Sequence, residues 1–222
     1  MNEIKEIYSS YHYSILLENN KIIKLPKTDI GLQRIEKLKT ILSDLEHQNL
    51  DKPIIENGEL ISDFYPHSLE NHNFDDIKLI KIFIDLCDSL QYLHDKNIFN
   101  LDLKPEHIRF DTDYNLKIID YLEGHTICPR WNAPELIFKQ SFTKSCDIYS
   151  FGNLMYYSVH KTLPFETQNA MKFFYALAKE RPKSDSVFSN IILKCLEKNS
   201  IDRFGSFYEI KTTLEALLQA LI

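Results

Sequence analysis

The chain has 222 residues, 44% of them hydrophobic and 26% charged, the balance of a soluble globular protein with one large domain or two small lobes. Disorder, a collagen-like repeat and a short disulfide-stapled scaffold are thereby excluded. Twenty-six Lys and Arg against 32 Asp and Glu leave a net charge of −6, which gives no reason to expect nucleic acid as a partner.

In chain order, residues 11–25 (YHYSILLENNKIIKL) carry two runs rich in Tyr, Ile and Leu that meet at Asn19-Asn20, the pattern of a β-hairpin. Thr28 or Asp29 then caps a segment in which Ile35, Leu38, Leu42 and Leu45 recur at three- and four-residue steps, predicting an amphipathic helix over 29–46. Strand-like pieces follow around 53–55 and 59–64, so the first 65 residues read as a small sheet with one helix. After Tyr65-Pro66, Asp75 and Asp76 open a long helix running through Leu93. Short strands are expected at 98–99, 107–110 and 116–119, the last two joined by the turn DTDYN. From Ala133 onward the pattern predicts helices near 134–139, 145–160, 167–179, 186–198 and 206–221. The segment 147–160 is apolar almost all round, which marks a buried helix.

Four cysteines at 87, 128, 146 and 195 form no C-x-x-C pair, as expected of free thiols in a reducing cytosol. The start, MNEIKEIYSS, is acidic and polar where a secretory signal needs a basic and then an apolar run. The expected location is therefore cytoplasmic, a host cytoplasm if the chain is an exported effector. The most apolar stretch, 79–86, is interrupted by Lys81 and Asp85 and is too short to span a bilayer. The histidines show no helix-face metal spacing beside a carboxylate.

The stretch 100–120, NLDLKPEHIRFDTDYNLKIID, is the most informative. It places a loop carboxylate at Asp102, a lysine two residues later, a proline that stiffens the loop, and a second carboxylate, Asp120, at the end of an apolar strand. Two carboxylates converging from separate strand ends suit a reaction in which one takes a hydroxyl proton and the other holds a metal on a triphosphate. Alone, they more readily describe two solvated loop residues, the commonest setting for Asp.

The context resembles a eukaryotic-type Ser/Thr protein kinase. D-L-K-P-E at 102–106 is similar to that family's catalytic loop, and Asp120-Tyr121-Leu122 stands where D-F-G is found. RWNAPE at 130–135 resembles the end of an activation segment, DIYSFG at 147–152 the start of the central helix, and Lys194-Cys195-Leu196 through Asp202-Arg203 the closing helices. The resemblance implies an α+β, two-lobed fold in a single domain over 1–222. A reduced β-sheet N-lobe with one helix occupies 1–65 and a larger, mostly α-helical C-lobe occupies 66–222. It implies that Asp102 orients the substrate hydroxyl and accepts its proton, Lys104 steadies the transferring phosphoryl group and Asp120 holds Mg²⁺. Asp147 buttresses the catalytic loop and Glu135 pairs with Arg203. Lys24 occupies the place of the lysine that grips nucleotide phosphates, and Glu36 is the candidate for its ion-pair partner, with Glu46 and Glu18 as alternatives.

Several positions depart from the pattern. The segment 7–15, IYSSYHYSI, holds no glycine where the family has a glycine loop, so weak nucleotide grip is expected there. His107 replaces the asparagine that helps hold a second metal ion. An imidazole nitrogen matches hard Mg²⁺ poorly, so one ion held mainly by Asp120 is expected, unless the ion is Mn²⁺. Asn100 and Leu101 replace a His and the Arg that clasps an activation-segment phosphate, so control by loop phosphorylation is not expected. Leu122 replaces the hinge glycine, and Cys128 a threonine that contacts the catalytic Asp. Thr126 and Tyr121 read as ordinary loop residues and Trp131 as packing beneath a substrate platform. The implied function is ATP-dependent phosphoryl transfer to Ser/Thr hydroxyls of a protein substrate. The alternative is a pseudokinase acting as a scaffold or allosteric partner.

Overall fold

The computed structural model describes residues 4–99, 101–122, 127–139 and 141–222, so Asn100 and Thr126 lie outside the described residues. The chain divides into two units. One runs to His67 and takes in Phe110–Ile119; the other is Ser68–Arg109 with Asp120–Ile222.

The first unit is a five-stranded antiparallel sheet and a helix. Strands β1 (Lys5–Ser9), β2 (Tyr13–Glu18), β3 (Lys21–Pro26), β4 (Ile54–Glu56) and β5 (Glu59–Asp63) lie in the order β1-β2-β3-β5-β4, and α1 (Asp29–Ser43) falls between β3 and β4 in sequence. The expected hairpin is β2 and β3. Asn19 and Asn20 both take positive φ, 48° and 64°, which asparagine tolerates and a two-residue turn matched to strand twist requires. The Thr28 hydroxyl accepts from the Gly31 N–H at 3.1 Å and starts α1 as predicted. The helix stops at Ser43, short of the expected residue 46, because the Asp44 N–H turns back to the carbonyls of Ile41 and Leu42. Ile35 of α1 packs with Tyr13 and Leu60 in this unit's core. A Cβ on Gly31 would stand 2.7 Å from the His12 carbonyl oxygen, so the close approach of α1 to the β1–β2 turn needs glycine there. Strand β1 itself was not expected. All five of its residues are exposed, so no alternation of apolar and polar residues announces it, and the ladder to β2 carries it.

Two of the three unit boundaries fall inside short strands, β6 (His67–Ser68) and β7 (Ile108–Phe110), and the third falls just after β8 (Leu116–Ile118). Residues 98–99 form no strand. In the second unit the Asp75 carboxylate caps α2 (Asp76–Asp95), accepting from the Lys78 N–H at 2.8 Å. The remaining helices are α3 (Pro134–Lys139), α4 (Lys144–His160), α5 (Ala170–Lys179), α6 (Ser189–Cys195) and α7 (Phe207–Leu221). Helix α5 begins at 170 rather than 167 because Asn169 is its cap, its side chain accepting from the Lys172 N–H. Helix α6 is shorter than expected, and the chain beyond it turns through Ser200–Asp202.

Helix α4 is buried without a break from Cys146 to Met155, as its all-round apolar character predicts. Phe151 stands edge-on to Phe83 of α2 at 5.8 Å and to Phe207 of α7 at 5.4 Å, and Phe83 meets Phe188 at 5.9 Å. These aromatic contacts form the centre of the second unit's core. All four cysteines are free thiols. No helix among the described residues is long and apolar enough to cross a membrane.

Candidate active site

The loop after α2 is held from behind by two helices. The Leu101 N–H donates to Asp147 Oδ1 at 2.7 Å, and Asp147 Oδ2 lies 2.9 Å from His94 Nε2. The Lys144 ammonium donates to the His94 carbonyl. Asp147 is thus a buried carboxylate on α4 that ties the loop to α2, the buttressing part expected for it. His94 is the functional neighbour the sequence reading passed over. A histidine that follows Leu90 and Leu93 on a buried helical stripe requires a polar partner, and that was the available signal.

Leu101 and Leu103 are buried at 3% and 2% exposure. In an extended segment this alternation sends the intervening side chains to the opposite side. There the Lys104 ammonium donates to Asp102 Oδ2 at 2.6 Å. Burial pulls the lysine pKa down, but the bond to Asp102 and its charge outweigh this and the net shift is upward, so Lys104 remains an ammonium ion. The Cys128 thiol faces the same ammonium and adds to the rise. Asp102 is 8% exposed, and its Oδ1 is fully buried with no hydrogen-bond partner among the described residues. A buried acceptor oxygen left without a donor costs stability. Pro105 then begins a 3-10 turn, Pro105–His107, which returns His107 Nδ1 to 2.7 Å from the Asp102 carbonyl oxygen. The structure therefore brings Asp102, Lys104 and His107 together.

Asp120 follows β8 and takes φ 52°, in the left-handed region that Asp adopts more readily than most residues. Tyr121 beside it is buried at 4% exposure.

Lys104, Cys128, Arg130 and Trp131 line a groove of about 520 Å³ with Phe173 and Phe174 of α5. Trp131 packs edge-on against Tyr157 at 5.7 Å and its carbonyl accepts from the Asn153 side chain at 3.0 Å, the packing role expected of it. The Cys128 N–H donates to Asn132 Oδ1 at 2.6 Å, folding this segment on itself. Glu135 receives Arg203 in two bonds of 2.6 and 2.8 Å. Burial raises the Glu135 pKa, but the Arg203 bonds and charge prevail and hold the carboxyl below its usual range. Arg203 also donates to the carbonyls of Ser145, Glu197 and Lys198 and lies over the Tyr149 ring.

In the first unit Lys24 of β3 sits between Ile15 of β2 and Leu60 of β5. It is 6% exposed, with its ammonium 4.7 Å from the centre of the Tyr13 ring, so it is not an ordinary solvent-facing strand lysine. Glu36 is exposed on α1, one position beyond buried Ile35, and among the described residues it forms no ion pair with Lys24. In the β1–β2 turn the Ser10 N–H is spent on the Tyr13 carbonyl and the Tyr13 N–H on the Ser10 hydroxyl. Lys27 closes the turn through Ser9 Oγ and the Ser10 carbonyl. The Ser10 and Tyr13 amides are thus satisfied within the turn.

A family model described as protein kinase domain matches residues 28–219. The match begins after Lys24 and the β1–β2 turn. Among curated proteins, the rice CBL-interacting protein kinase 21 is 30% identical over 142 residues, 55% of this chain and 27% of its own. The yeast cAMP-dependent protein kinase type 3 is 30% identical over 135 residues, 55% of this chain and 34% of its own. The serine/threonine/tyrosine-protein kinase HT1 of Arabidopsis thaliana is 25% identical over 154 residues, 62% of this chain and 39% of its own. This chain thus spans roughly a quarter to two-fifths of the length of these relatives. The small antiparallel sheet with one helix, the helical second unit and the match over most of the length agree: the chain belongs to the protein kinase family.

Proposed function

We propose that the protein transfers the γ-phosphoryl group of ATP to Ser or Thr hydroxyls of a protein substrate. The observation that carries this reading is Asp102, nearly buried, with one oxygen bound to Lys104 at 2.6 Å and the other left as an unpartnered acceptor. In the proposed reaction Asp102 Oδ1 accepts the substrate hydroxyl, aims its oxygen at the γ-phosphorus and takes the proton as the new O–P bond forms and the bond to ADP breaks. Lys104 presents positive charge to the phosphoryl oxygens. Lys24 grips the nucleotide phosphates. Asp120 is the carboxylate for Mg²⁺ or Mn²⁺, which supplies charge neutralisation on the triphosphate. The donor set fits such an ion in chemistry: a hard carboxylate, with nucleotide oxygens as its natural complement. The groove along Cys128–Trp131 gives the substrate segment a surface next to Lys104, and the lysine of D-L-K-P-E supports Ser/Thr acceptors.

Incubation with radiolabelled ATP, each metal and a generic protein, followed by phosphoamino-acid analysis, tests this reading. Label on serine and threonine is expected; label confined to tyrosine contradicts the specificity. A second reading, a pseudokinase that serves as a scaffold or allosteric partner, is favoured by one observation, the glycine-free β1–β2 turn whose Ser10 and Tyr13 amides are satisfied internally. On that reading no label is transferred and nucleotide leaves the melting temperature unmoved.

A further inference from the structure

We propose that the Lys198 side-chain amine is a nucleophile for carbonyl compounds, and that an aldehyde with an apolar body condenses with it as an imine at the cavity beside α5. None of the groups involved takes part in the phosphoryl-transfer reading above. The cavity holds about 600 Å³, and Phe165, Met171, Tyr175, Ala176 and Glu180 are among its walls. Three of these bear directly on Lys198. Its ammonium lies 4.2 Å from the centre of the Phe165 ring, donates to the Ala176 carbonyl at 3.3 Å and feels the charge of the Glu180 carboxylate.

Little in this setting favours a cation. Among the described residues no carboxylate comes within ion-pair distance of Lys198, and that of Glu197, its neighbour in the chain, is bound to Arg181 at 3.1 Å. The Ala176 carbonyl is shared, since it also accepts the Glu180 N–H at 2.9 Å where α5 ends. What remains is a ring face and part of one carbonyl. The Arg203 guanidinium meanwhile donates to the Lys198 carbonyl at 3.1 Å and brings a second positive charge to the same turn. Burial and the Arg203 charge disfavour the ammonium form and outweigh Glu180 and Glu197, so the Lys198 pKa is lowered to about 8. At pH 7 about a tenth of these side chains are then uncharged amines, against about four in ten thousand for an ordinary lysine. Lys198 is half-buried rather than sealed, which leaves it open to a small molecule. Desolvation in an apolar pocket and an adjacent cation are the two means by which a lysine becomes a Schiff-base nucleophile. In the condensation the nitrogen lone pair attacks the carbonyl carbon and both amine hydrogens pass to the carbonyl oxygen. That oxygen leaves as water and the C=N bond remains, with no change of oxidation state overall. Phe165, Tyr175 and Met171 give the cavity an aromatic and thioether wall suited to an apolar, ring-sized body. Lys172 lines the same cavity but is exposed, which makes it the internal comparison.

The test uses the whole chain and benzaldehyde. After a brief incubation, sodium borohydride reduces any imine to a stable benzylamine, and the modified lysines are identified by peptide mass spectrometry. At pH 7.5 the adduct on Lys198 is expected to exceed those on Lys172 and on exposed Lys194 by roughly tenfold or more. It should rise with pH to a plateau with its midpoint near pH 8, because the amine must first lose its proton. It should also saturate with benzaldehyde and fall when benzyl alcohol, which occupies the cavity without reacting, is added. Lys198→Arg keeps the positive charge and should abolish this adduct alone. Adducts spread evenly over the exposed lysines, or greatest on Lys172, overturn the inference. So does a Lys198 adduct that keeps rising toward pH 10, since the amine is then an ordinary one. An adduct that grows linearly with benzaldehyde and ignores benzyl alcohol overturns it as well, since no cavity then holds the aldehyde. Mapping on the unsubstituted chain decides these outcomes, so a variant that fails to fold does not prevent a decision.

Discussion

Arg203 and Glu135 show what a single charged pair does in this protein. The Arg203 side chain is wholly buried and Glu135 is 14% exposed, so the pair stands out of water and removing one partner orphans the other. Glu135→Gln is expected to lower stability by about 3–5 kcal/mol, since breaking a buried pair leaves an uncompensated charge. For a chain of this length that is a fall in melting temperature of roughly 6–20 °C, measurable by calorimetry. Because the folded Glu135 carboxyl titrates below its ordinary value, its contribution is complete above about pH 4.3, where the unfolded side chain ionises. It is lost as the pH falls from there through the lower folded value. Urea midpoints measured from pH 6 downward should drop more steeply below about pH 4.3 in the wild type than in Glu135→Gln. Parallel slopes would remove Glu135 from the account. The pairing of these two residues was legible from the family motifs. The pairing of Asp147 with His94 was only half legible, because the motif names the carboxylate and not its neighbour on α2.

At the scale of elements, helices were read best where the caps were chemical. Thr28, Asp75 and the Asn19-Asn20 turn each announced a boundary through a side chain or a backbone preference. Errors fell where an element is made by tertiary pairing alone. Strand β1 has no buried face, so periodicity could not find it, and residues 98–99 are apolar because of their surroundings rather than because they form a strand. The ends of α5 and α6 were displaced by a side-chain cap and by a tightening turn, neither of which the apolar pattern records. Position on α1 makes Glu36 the candidate partner of Lys24, but the helix turns Ile35 toward the core and leaves Glu36 in solvent. Helix packing in the second unit depends on one small residue. A Cβ on Gly152 of α4 would stand 2.6 Å from the Cys195 Cβ of α6 and 3.1 Å from Leu196. Gly152→Ala should therefore cost about 1–3 kcal/mol through overpacking, seen as a lower urea midpoint with an unchanged slope. An unchanged midpoint would show that α6 can retreat.

For the whole molecule, the second unit was legible because its chemistry lies in contiguous motifs, whereas the first unit is assembled from short strands with one recognisable turn. The family match begins at residue 28 and leaves out Lys24 and the closed turn at residues 10–12. Nucleotide binding is therefore the property on which the active and scaffold readings diverge. At a concentration of a hundred times Kd, ATP analogue with Mn²⁺ should stabilise the fold by about 2.7 kcal/mol, a rise of roughly 5–10 °C in Tm. Lys24→Met should reduce that rise. The central claim is that Asp102 accepts the proton of a substrate hydroxyl during phosphoryl transfer. Its most direct test compares the wild type with Asp102→Asn, an isosteric change, measuring radiolabelled phosphate transfer and the nucleotide-induced thermal shift on the same samples. The account predicts a thermal shift equal in both proteins and transfer reduced by about 10²–10⁴-fold in the variant. Equal transfer by both proteins would contradict it.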